Sequence, residues 1–330
     1  MSNQQTIELT KKDFVSDQDV RWCPGCGDYA ILSQVQKVFP QLGVPKEKFL
    51  VVSGIGCSSR FPYYMDSFGF HSIHGRAPAL ATGAKIANPD LSVWIVTGDG
   101  DSMSIGGNHF IHVLRRNFDL NILLFNNQVY GLTKGQYSPT SEIGRISNST
   151  PFGSVDYPFN PPLLALGAGG TFIARSIDRE QKHLQDILHK AYKHKGTSLV
   201  EVYQNCWVFN DGAFSSLTDR EIKMETQLVL EHKKPMVFGK NQDKGLTLKG
   251  SKLEVITLNK KNSINEVMIH DEKNKIQGLL LSELTYDKNF PTPIGVIYRE
   301  EKPTYENMLY NQLDKAMEAR GKGDLDKLFN

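Results

Sequence analysis

Five short apolar runs alternate along the chain with segments of helical pattern, and this alternation limits the fold more than any other feature of the sequence. The runs are rich in β-branched residues. They lie at 49–54, 91–98, 121–127, 169–176 and 197–203, and helical patterns lie at 29–39, 77–87, 108–116 and 179–194. Apolar strands separated by helices predict a parallel sheet covered on both faces. We therefore expect an α/β fold with a doubly wound, mostly parallel sheet.

The rest of the chain is less regular. The segment from about 135 to 165 is rich in Pro, Ser, Gly and Asn, and loops of that length are usually functional lids or interface segments. From about residue 230 the sequence becomes polar and lysine-rich, which indicates an exposed connection, and apolar runs and a final helical pattern follow it. We divide the chain into a main domain, 1–230, and a C-terminal extension or small subdomain, 231–330, for which wrapping a partner is one candidate role.

Charge and hydropathy exclude several classes of partner. The 330 residues include 38 Lys and Arg against 36 Asp and Glu, a net charge of +2, so neither nucleic acid nor an anionic membrane is expected as the main partner. The N-terminus lacks an apolar signal region, and no run approaches the roughly 18 apolar residues of a membrane span. These features predict a cytoplasmic protein, in which cysteines are more often ligands or nucleophiles than disulfides.

Acidic and glycine residues alternate directly after the second apolar run, in the sequence GDGD at 98–101. In doubly wound sheets, ligands bind where a strand gives way through a glycine turn to a helix. Such a turn lets the backbone approach a phosphate, and the helix start offers free N–H donors. A carboxylate beside a phosphate requires a cation between them, and Mg²⁺ prefers oxygen ligands. We expect Asp99 to be a magnesium ligand.

The next apolar run ends in a pair of asparagines, Asn126 and Asn127. Neighbouring parallel strands end at the same edge of a sheet, so the Asn127 amide oxygen and the Val129 main-chain carbonyl are expected to complete the metal site. GDG followed after roughly 25 to 28 residues by NN resembles the motif of thiamine diphosphate enzymes. Purely structural roles would explain each half of this pattern separately. The acidic turn could cap a helix, and the asparagine pair could end a strand.

The four cysteines form a second group of candidate ligands. Cys23 and Cys26 lie in a C-x-x-C turn, whereas Cys57 and Cys206 stand far apart in the sequence. Their spacing is compatible with tetrahedral zinc, with an iron–sulfur cluster or with a redox dithiol, and does not decide among them. Cys57 follows the run at 49–54 and is expected at the same edge as Asp99 and Asn127. A metal centre there could exchange electrons with the cofactor.

Several longer motifs occur in order along the chain. They are WCPGCGDY, SGIGCSSR, GFHSIHGR, GDGDSMSIGGNHF, NNQVYGLTKGQYSPT and QNC. Over about residues 18–215 the chain thereby resembles the β subunits of 2-oxoacid:ferredoxin oxidoreductases, in particular those of the 2-oxoglutarate type. The resemblance implies the pyrophosphate domain of the thiamine diphosphate-binding fold. It also implies coenzyme A-dependent decarboxylation of 2-oxoglutarate to succinyl-CoA and CO₂, with electrons passed through a 4Fe-4S cluster to ferredoxin.

The resemblance also assigns roles to particular residues. It makes Cys23, Cys26, Cys57 and Cys206 the cluster ligands, and Asp99, Asn127 and Val129 the magnesium ligands. The residues that it places around the cofactor are Ile55, Gly56, Cys57, Ser58, His74, Gly75, Arg76, Gly100, Asp101, Gly131 and Leu132. His74 is a candidate contact of the cofactor or substrate, with a core histidine as the alternative. Arg60 is a candidate for binding a substrate carboxylate, with a surface ion pair as the alternative.

Thiamine activation in this family needs a glutamate on a separate pyrimidine-binding domain, and the sequence indicates no second domain of this kind. We therefore expect an α subunit that carries it, in an αβ or (αβ)₂ assembly, with ferredoxin as the acceptor. Three alternatives stay open: pyruvate as the substrate, a non-redox thiamine lyase or transferase with structural zinc, and an electron-transfer subunit without thiamine. The direction of the reaction and the role of residues 231–330 are not determined by the sequence.

Overall fold

The computed structural model describes residues 9–259, 263–324 and 326–329. The strands are β1 Phe49–Ser53, β2 Phe68–His71, β3 Ser92–Gly98, β4 Leu120–Asn126, β5 Phe172–Ile177, β6 Thr197–Tyr203, β7 Gln227–Leu230, β8 Val237–Phe238, β9 Lys244–Lys249, β10 Lys252–Thr257 and β11 Thr292–Arg299. The helices are α1 Asp28–Val38, α2 Phe61–Tyr64, α3 Ala77–Ala87, α4 Asp99–Met103, α5 Gly107–Arg116, α6 Pro161–Gly167, α7 Gln181–Lys193, α8 Ser215–Thr218, α9 Lys223–Thr226, α10 Lys275–Glu283, α11 Tyr305–Arg320 and α12 Asp326–Phe329.

Eight strands form the central sheet, in the order β2-β1-β3-β4-β6-β5-β11-β7. The first six run parallel to one another, β11 is antiparallel to β5, and β7 is parallel to β11. Every residue of β1, β4, β5 and β6 is buried, as expected for strands covered on both faces. The prediction of a mostly parallel α/β sheet is confirmed.

Two separate apolar cores lie on the two faces of the sheet. One face packs against α1 and α7, with Ile31, Val35 and Leu188 among its buried side chains. The other face packs against α3, α5, α6 and α10, where Phe110 and Leu281 are buried. The alternation of strands and helices produces this arrangement, because each crossover places its helix on one side of the sheet or the other.

The sequence predictions differ from the structure at two places. β2 pairs with β1 at the edge of the sheet, yet all four of its residues are exposed, so it lacks the apolar pattern of the other strands. The lysine-rich passage after residue 230 is not simply an exposed connection. It contains β8 and β9, and Met236, Phe238 and Leu246 are buried in the larger core. Short apolar groups among lysines gave too little periodicity to predict these strands.

Residues beyond 230 contribute to both sheets. β11 lies between β5 and β7 in the central sheet, and β8, β9 and β10 form a small antiparallel sheet. The division of the chain at residue 230 stays a prediction, although the central sheet takes strands from both sides of that position. Among the described residues, no helix is both long enough and apolar enough to span a membrane.

A buried histidine makes the stability of the fold depend on pH. His194 follows α7, its Nε2 lies 2.8 Å from the Thr171 hydroxyl, and burial lowers its pKa to about 4. The unfolded chain therefore binds a proton at higher pH than the folded chain, so this contribution is complete above about pH 6.5 and is lost as the pH falls towards 4. Between pH 7.5 and pH 5 the loss is about 2 kcal/mol.

We expect His194→Gln to remove most of this dependence. Urea unfolding at pH 7.5 and pH 5 measures how far the free energy of unfolding falls between the two pH values. We expect this fall to be about 2 kcal/mol smaller in the variant than in the parent chain. His189→Gln is the matched control because His189 lies nearby, on α7, but is only half-buried. Equal pH dependence in the His194 variant and the parent would show that His194 is not the group responsible.

Candidate functional site

A cleft opens at the carboxyl ends of β1, β3 and β4, where the sequence predicted the ligand site. The side chains and backbone that line it come from the turns after these strands and from the adjoining loop. They are Ile55, Gly56, Cys57, Ser58, His74, Gly98, Asp99, Gly100, Asp101, Ser104, Ile105, Phe125, Asn127, Val129, Tyr130, Gly131, Leu132 and Thr133. The acidic turn, the asparagine pair and the Cys57 turn thus meet in one place, because β1, β3 and β4 are neighbours in the sheet.

Asp99 is a buried carboxyl group at the base of this cleft. Its Oδ2 accepts hydrogen bonds from the hydroxyls of Ser138 (2.5 Å) and Thr140 (2.6 Å). Burial raises the pKa of Asp99, and these hydroxyl donors partly offset the rise. Among the salt bridges of the described residues, none involves Asp99. A buried carboxylate that no basic side chain compensates is well suited to a cation.

Ser138 and Thr140 lie in the irregular segment from about 135 to 165 (the lid segment), for which the sequence predicted a functional lid or an interface segment. Residues 127–160, all of which the structure describes, form no helix or strand, and the two hydroxyls of this segment contact Asp99. The sequence reasoning did not identify the two hydroxyl donors. The polar run YSPTS, which comes ten residues after the asparagine pair, was the available signal.

Asp101 has a different role from Asp99, because its carboxylate points into the protein. Its Oδ1 accepts from the backbone N–H groups of Ile55 (3.1 Å) and Gly75 (2.7 Å), and its Oδ2 accepts from the Thr97 hydroxyl (2.9 Å). A Cβ atom on Gly54 would lie 1.9 Å from Asp101 Oδ2, so only glycine fits there. Asp101 therefore ties the turn after β1 to the turn before α3.

The two asparagines lie in different surroundings, Asn126 in the core and Asn127 at the cleft. Asn126 is buried, and its Nδ2 donates to Glu201, which is itself paired with Arg175 in the core. Asn127 faces the cleft, and its Oδ1 accepts from the Val129 N–H at 3.2 Å. Because an amide oxygen has two lone pairs, Asn127 Oδ1 keeps one for a metal ion. Asp99, Asn127 and Val129 all line the cleft, and their role as an all-oxygen set of magnesium ligands stays a prediction.

All four cysteines line a second pocket next to the cleft. Its lining residues are Arg21, Trp22, Cys23, Cys26, Cys57, Arg60, Asn127, Gly131, Leu132, Lys134, Gln204, Cys206, Trp207, Val208 and Phe209. A Cβ atom on Gly131 would lie 3.5 Å from Cys206 Sγ and 3.6 Å from Cys57 Sγ, so both sulfurs border the same small space. The elements that hold these cysteines are the turn before α1, the turn after β1 and the segment after β6.

The environment of Cys26 and Cys57 favours the neutral form of their thiols. Burial raises the pKa of Cys57 to about 12, and negative charge on Asp28 and on neighbouring cysteines adds to the rise. Burial likewise raises the pKa of Cys26 far above its ordinary value. Thiolates at Cys26 and Cys57 therefore require compensating positive charge, such as that of bound metal.

The cleft and the cysteine pocket share a wall. Cys57, Asn127, Gly131 and Leu132 line both of them. Anything bound to the cysteines therefore lies directly beside anything bound over Asp99.

Four further predicted residues lie at different places. His74 lines the cleft, and it also lines the adjoining space under the lid segment. Gly75 and Arg76 are not among the lining residues: the Gly75 N–H binds Asp101, and the Arg76 guanidinium contacts His109. Arg60 lines the cysteine pocket rather than the cleft, and none of the salt bridges among the described residues includes it.

Comparison with known families agrees with the chemistry of the cleft. Residues 54–202 match the family described as "Thiamine pyrophosphate enzyme, C-terminal TPP binding domain". The matched range begins directly after β1 and ends within β6, so it includes the acidic turn, the asparagine pair and the lid segment. The chain therefore carries a thiamine diphosphate-binding domain, as the sequence predicted.

Similar proteins define the family more narrowly. The chain is 49% identical over 314 residues to the "2-oxoglutarate oxidoreductase subunit KorB" of Mycobacterium tuberculosis, an alignment that covers 94% of this chain and 84% of the relative. It is 46% identical over 192 residues to the "2-oxoacid:ferredoxin oxidoreductase subunit beta" of Saccharolobus solfataricus, covering 58% of this chain and 63% of that relative. This chain belongs to the β subunits of the 2-oxoacid:ferredoxin oxidoreductases. It is thus an oxidoreductase subunit, and membership of a β-subunit family implies an α subunit as its partner.

A solved structure supports the same assignment. The chain is similar, with a TM-score of 0.77 and 31% identity, to a "2-oxoglutarate:ferredoxin oxidoreductase from Magnetococcus marinus with 2-oxoglutarate, coenzyme A and succinyl-CoA bound". The match covers 99% of this chain and 97% of the other. The fold predicted from the sequence is therefore also the fold of a solved member of the family.

Proposed function

We propose that this chain, together with an α subunit, converts 2-oxoglutarate and coenzyme A to succinyl-CoA and CO₂. Two electrons leave in this reaction and pass through a 4Fe-4S cluster to ferredoxin. The observation that carries the proposal is the wall of Cys57, Asn127, Gly131 and Leu132 shared by the thiamine cleft and the cysteine pocket. This shared wall supports an electron carrier in the cysteine pocket, directly beside the proposed site of decarboxylation.

Asp99, Asn127 and the Val129 carbonyl would hold Mg²⁺, which would in turn hold the diphosphate of the cofactor. The oxygen donors match the preference of Mg²⁺, and the buried, uncompensated carboxylate of Asp99 supports a cation at this place. When bound, thiamine diphosphate supplies the nucleophilic carbon for the 2-oxo group and accepts the electron pair as CO₂ leaves. The chain's own contribution is to orient the cofactor through the turns that Asp101 ties together.

The four cysteines would each bind a different iron of the cluster, which supplies a one-electron carrier. We favour a cluster over zinc because zinc has no redox chemistry, whereas a related chain is named as a subunit of a 2-oxoacid:ferredoxin oxidoreductase.

Arg60 is our candidate for the distal carboxylate of 2-oxoglutarate. Its guanidinium lines the cysteine pocket beside Leu132, which also borders the cleft, and one of its nitrogens donates to the Arg21 carbonyl at 3.3 Å. A half-buried arginine without an acidic partner is suited to an anionic group of a ligand. Pyruvate lacks the second carboxylate, so Arg60 would favour 2-oxoglutarate over pyruvate.

Substitution of Arg60 is expected to change the substrate preference. Loss of a charged hydrogen bond costs about 1.5–3 kcal/mol, so Arg60→Met should lower kcat/KM for 2-oxoglutarate about 10- to 100-fold and leave that for pyruvate nearly unchanged. Arg21→Met is the matched control, since Arg21 lines the same pocket but pairs with Asp19 at the surface. If the ratio of the two kcat/KM values did not change, Arg60 would have no role in substrate choice.

The composition of the purified complex tests the proposed function as a whole. The chain is produced with its α subunit and purified without oxygen, and its iron, acid-labile sulfide, zinc, magnesium and thiamine diphosphate are measured. We expect about four irons and four sulfides per β chain together with the cofactor. Zinc without sulfide would exclude the redox function and favour a thiamine lyase. A cluster without any thiamine diphosphate would favour an electron-transfer subunit.

A further inference from the structure

We propose that Gln204 is a positioning residue that joins the magnesium site to the iron–sulfur site through a single side-chain amide. The proposal rests on the function proposed above. Gln204 Oε1 accepts from Asn127 Nδ2 at 2.8 Å, and Gln204 Nε2 lies 3.3 Å from Cys26 Sγ. One end of the amide thus contacts a proposed magnesium ligand, and the other end contacts a proposed cluster ligand.

The orientation of this amide is determined by its surroundings. The Val129 N–H donates to Asn127 Oδ1, which turns Asn127 Nδ2 towards Gln204 Oε1. Gln204 Nε2 also donates to the Asn205 carbonyl at 2.5 Å. A flipped Gln204 would place two donors together at Asn127, and two acceptors together at Asn205. The NH₂ group therefore faces Cys26 Sγ.

The backbone at Gln204 is held as firmly as its side chain. Gln204 directly follows β6, its side chain is only 1% exposed, and its N–H donates to the Asn126 carbonyl at 3.0 Å. Asn126 in turn donates to Glu201, which pairs with Arg175 at 2.7 Å in the core. Because Gln204 cannot turn away without breaking these contacts, it keeps the same distance to both sites.

The two hydrogen bonds are expected to have different consequences. An N–H donor to a cluster thiolate stabilises the reduced cluster, which carries more negative charge, and so raises the reduction potential. A hydrogen bond to the amide of a metal ligand holds its oxygen towards the metal, and loss of such a partner typically weakens metal binding 10- to 100-fold. Gln204 would therefore affect both the electron carrier and the magnesium site.

Two substitutions separate these effects. Gln204→Leu removes the hydrogen bonds to Asn127 and to Cys26. Gln204→Glu keeps an acceptor for Asn127 Nδ2 but places a second oxygen, instead of NH₂, beside Cys26 Sγ. Both variants are made in the complex with the α subunit, and the reduced fraction of the cluster is followed by electron paramagnetic resonance at fixed potentials. The Mg²⁺ concentration for half-maximal thiamine diphosphate binding is measured on the same samples after chelation.

We expect the ratio of reduced to oxidised cluster, at a fixed potential, to fall about tenfold in both variants, a change equivalent to about 59 mV for one electron. The Mg²⁺ requirement should rise about tenfold or more in Gln204→Leu and stay near that of the parent in Gln204→Glu. Gln277→Leu is the matched control: Gln277 is also buried and uses both ends of its amide, but it bonds His270, Asp271 and Ile269 far along the chain. It should change neither quantity.

The possible results distinguish the proposed function of the complex from the role of Gln204. A parent complex without iron and sulfide would mean that the proposed function is wrong. A parent complex with the cluster, whose potential is unchanged in a Gln204 variant of equal iron content, would overturn the role of Gln204. If Gln204→Leu does not retain iron, Gln204→Glu decides the question on the same criterion.

Discussion

Replacement of Asp99 by asparagine is expected to abolish magnesium-dependent binding of thiamine diphosphate and, with it, turnover. Asparagine has nearly the same shape and can still accept hydrogen bonds from Ser138 and Thr140, so the main loss is the negative charge. Because substitution of a residue next to a metal ligand already weakens binding 10- to 100-fold, loss of the charged ligand should weaken it by at least about 100-fold. Calorimetric titration of thiamine diphosphate at several Mg²⁺ concentrations measures the effect.

Asp90→Asn provides the control for this change. Asp90 is an exposed carboxylate 80% accessible at its side chain, it pairs weakly with Lys48, and it does not line the cleft. The control should bind the cofactor like the parent. If Asp99→Asn bound thiamine diphosphate with the parent's Mg²⁺ dependence while remaining folded, the carboxylate could not be the metal ligand.

Replacement of Cys206 by serine is expected to remove the electron carrier and leave the cofactor in place. Cys206 lines the cysteine pocket but not the thiamine cleft, whereas Cys57 borders both. Coenzyme A-dependent dye reduction should fall by about 1,000-fold or more, since one cluster ligand is lost, while the affinity for thiamine diphosphate changes by less than about threefold. Iron and sulfide content, the spectrum of the reduced protein and cofactor titration report the two effects separately.

Cys57→Ser tests the residue that lines both the cysteine pocket and the cleft. It should lose the cluster as Cys206→Ser does, and it should also perturb cofactor binding because Cys57 belongs to the turn that Asp101 holds. Full activity in Cys206→Ser would contradict a redox role for the cysteine pocket. The same activity loss without any change in iron content would assign Cys206 a different task.

The sequence predicted that Asp99, Asn127 and Cys57 lie at one edge of the sheet because each of them follows a strand. Asp99 and Asn127 come directly after β3 and β4, Cys57 lies in the turn after β1, and parallel strands deliver their carboxyl ends to one edge. Their roles as ligands stay predictions. No detailed contact was needed for that prediction. The cleft and the cysteine pocket adjoin each other, and Cys57 lines both of them.

Other features could not be predicted because they depend on contacts between distant segments. Ser138 and Thr140 reach Asp99 only through the course of a long irregular loop, which has no periodicity. Gln204 stands beside Cys206 in the sequence, but its significance comes from its distances to Asn127 and Cys26. Arg76 is placed near the cofactor by the family resemblance, and the contact of its side chain with His109 could not be read from the sequence.

The exposed edge strand β2 and the C-terminal third of the chain are the parts of the fold that the sequence predicted least well. β2 is exposed on both faces, β8 has only two residues, and β9 begins and ends with lysine, so none of the three shows the alternation that identifies a strand. β11 was an evident apolar run, but its insertion between β5 and β7 depends on long-range pairing. Local sequence determined which segments form elements more clearly than it determined where they pack.

The most direct test of the central claim is the reduction of a low-potential viologen dye by the complex of this chain with its α subunit, purified without oxygen. 2-Oxoglutarate and pyruvate are supplied separately, each with and without coenzyme A. We predict coenzyme A-dependent reduction with 2-oxoglutarate as the preferred substrate. A preference for pyruvate would contradict the substrate assignment, and no reduction by a complex that contains iron, sulfide and thiamine diphosphate would contradict the proposed reaction.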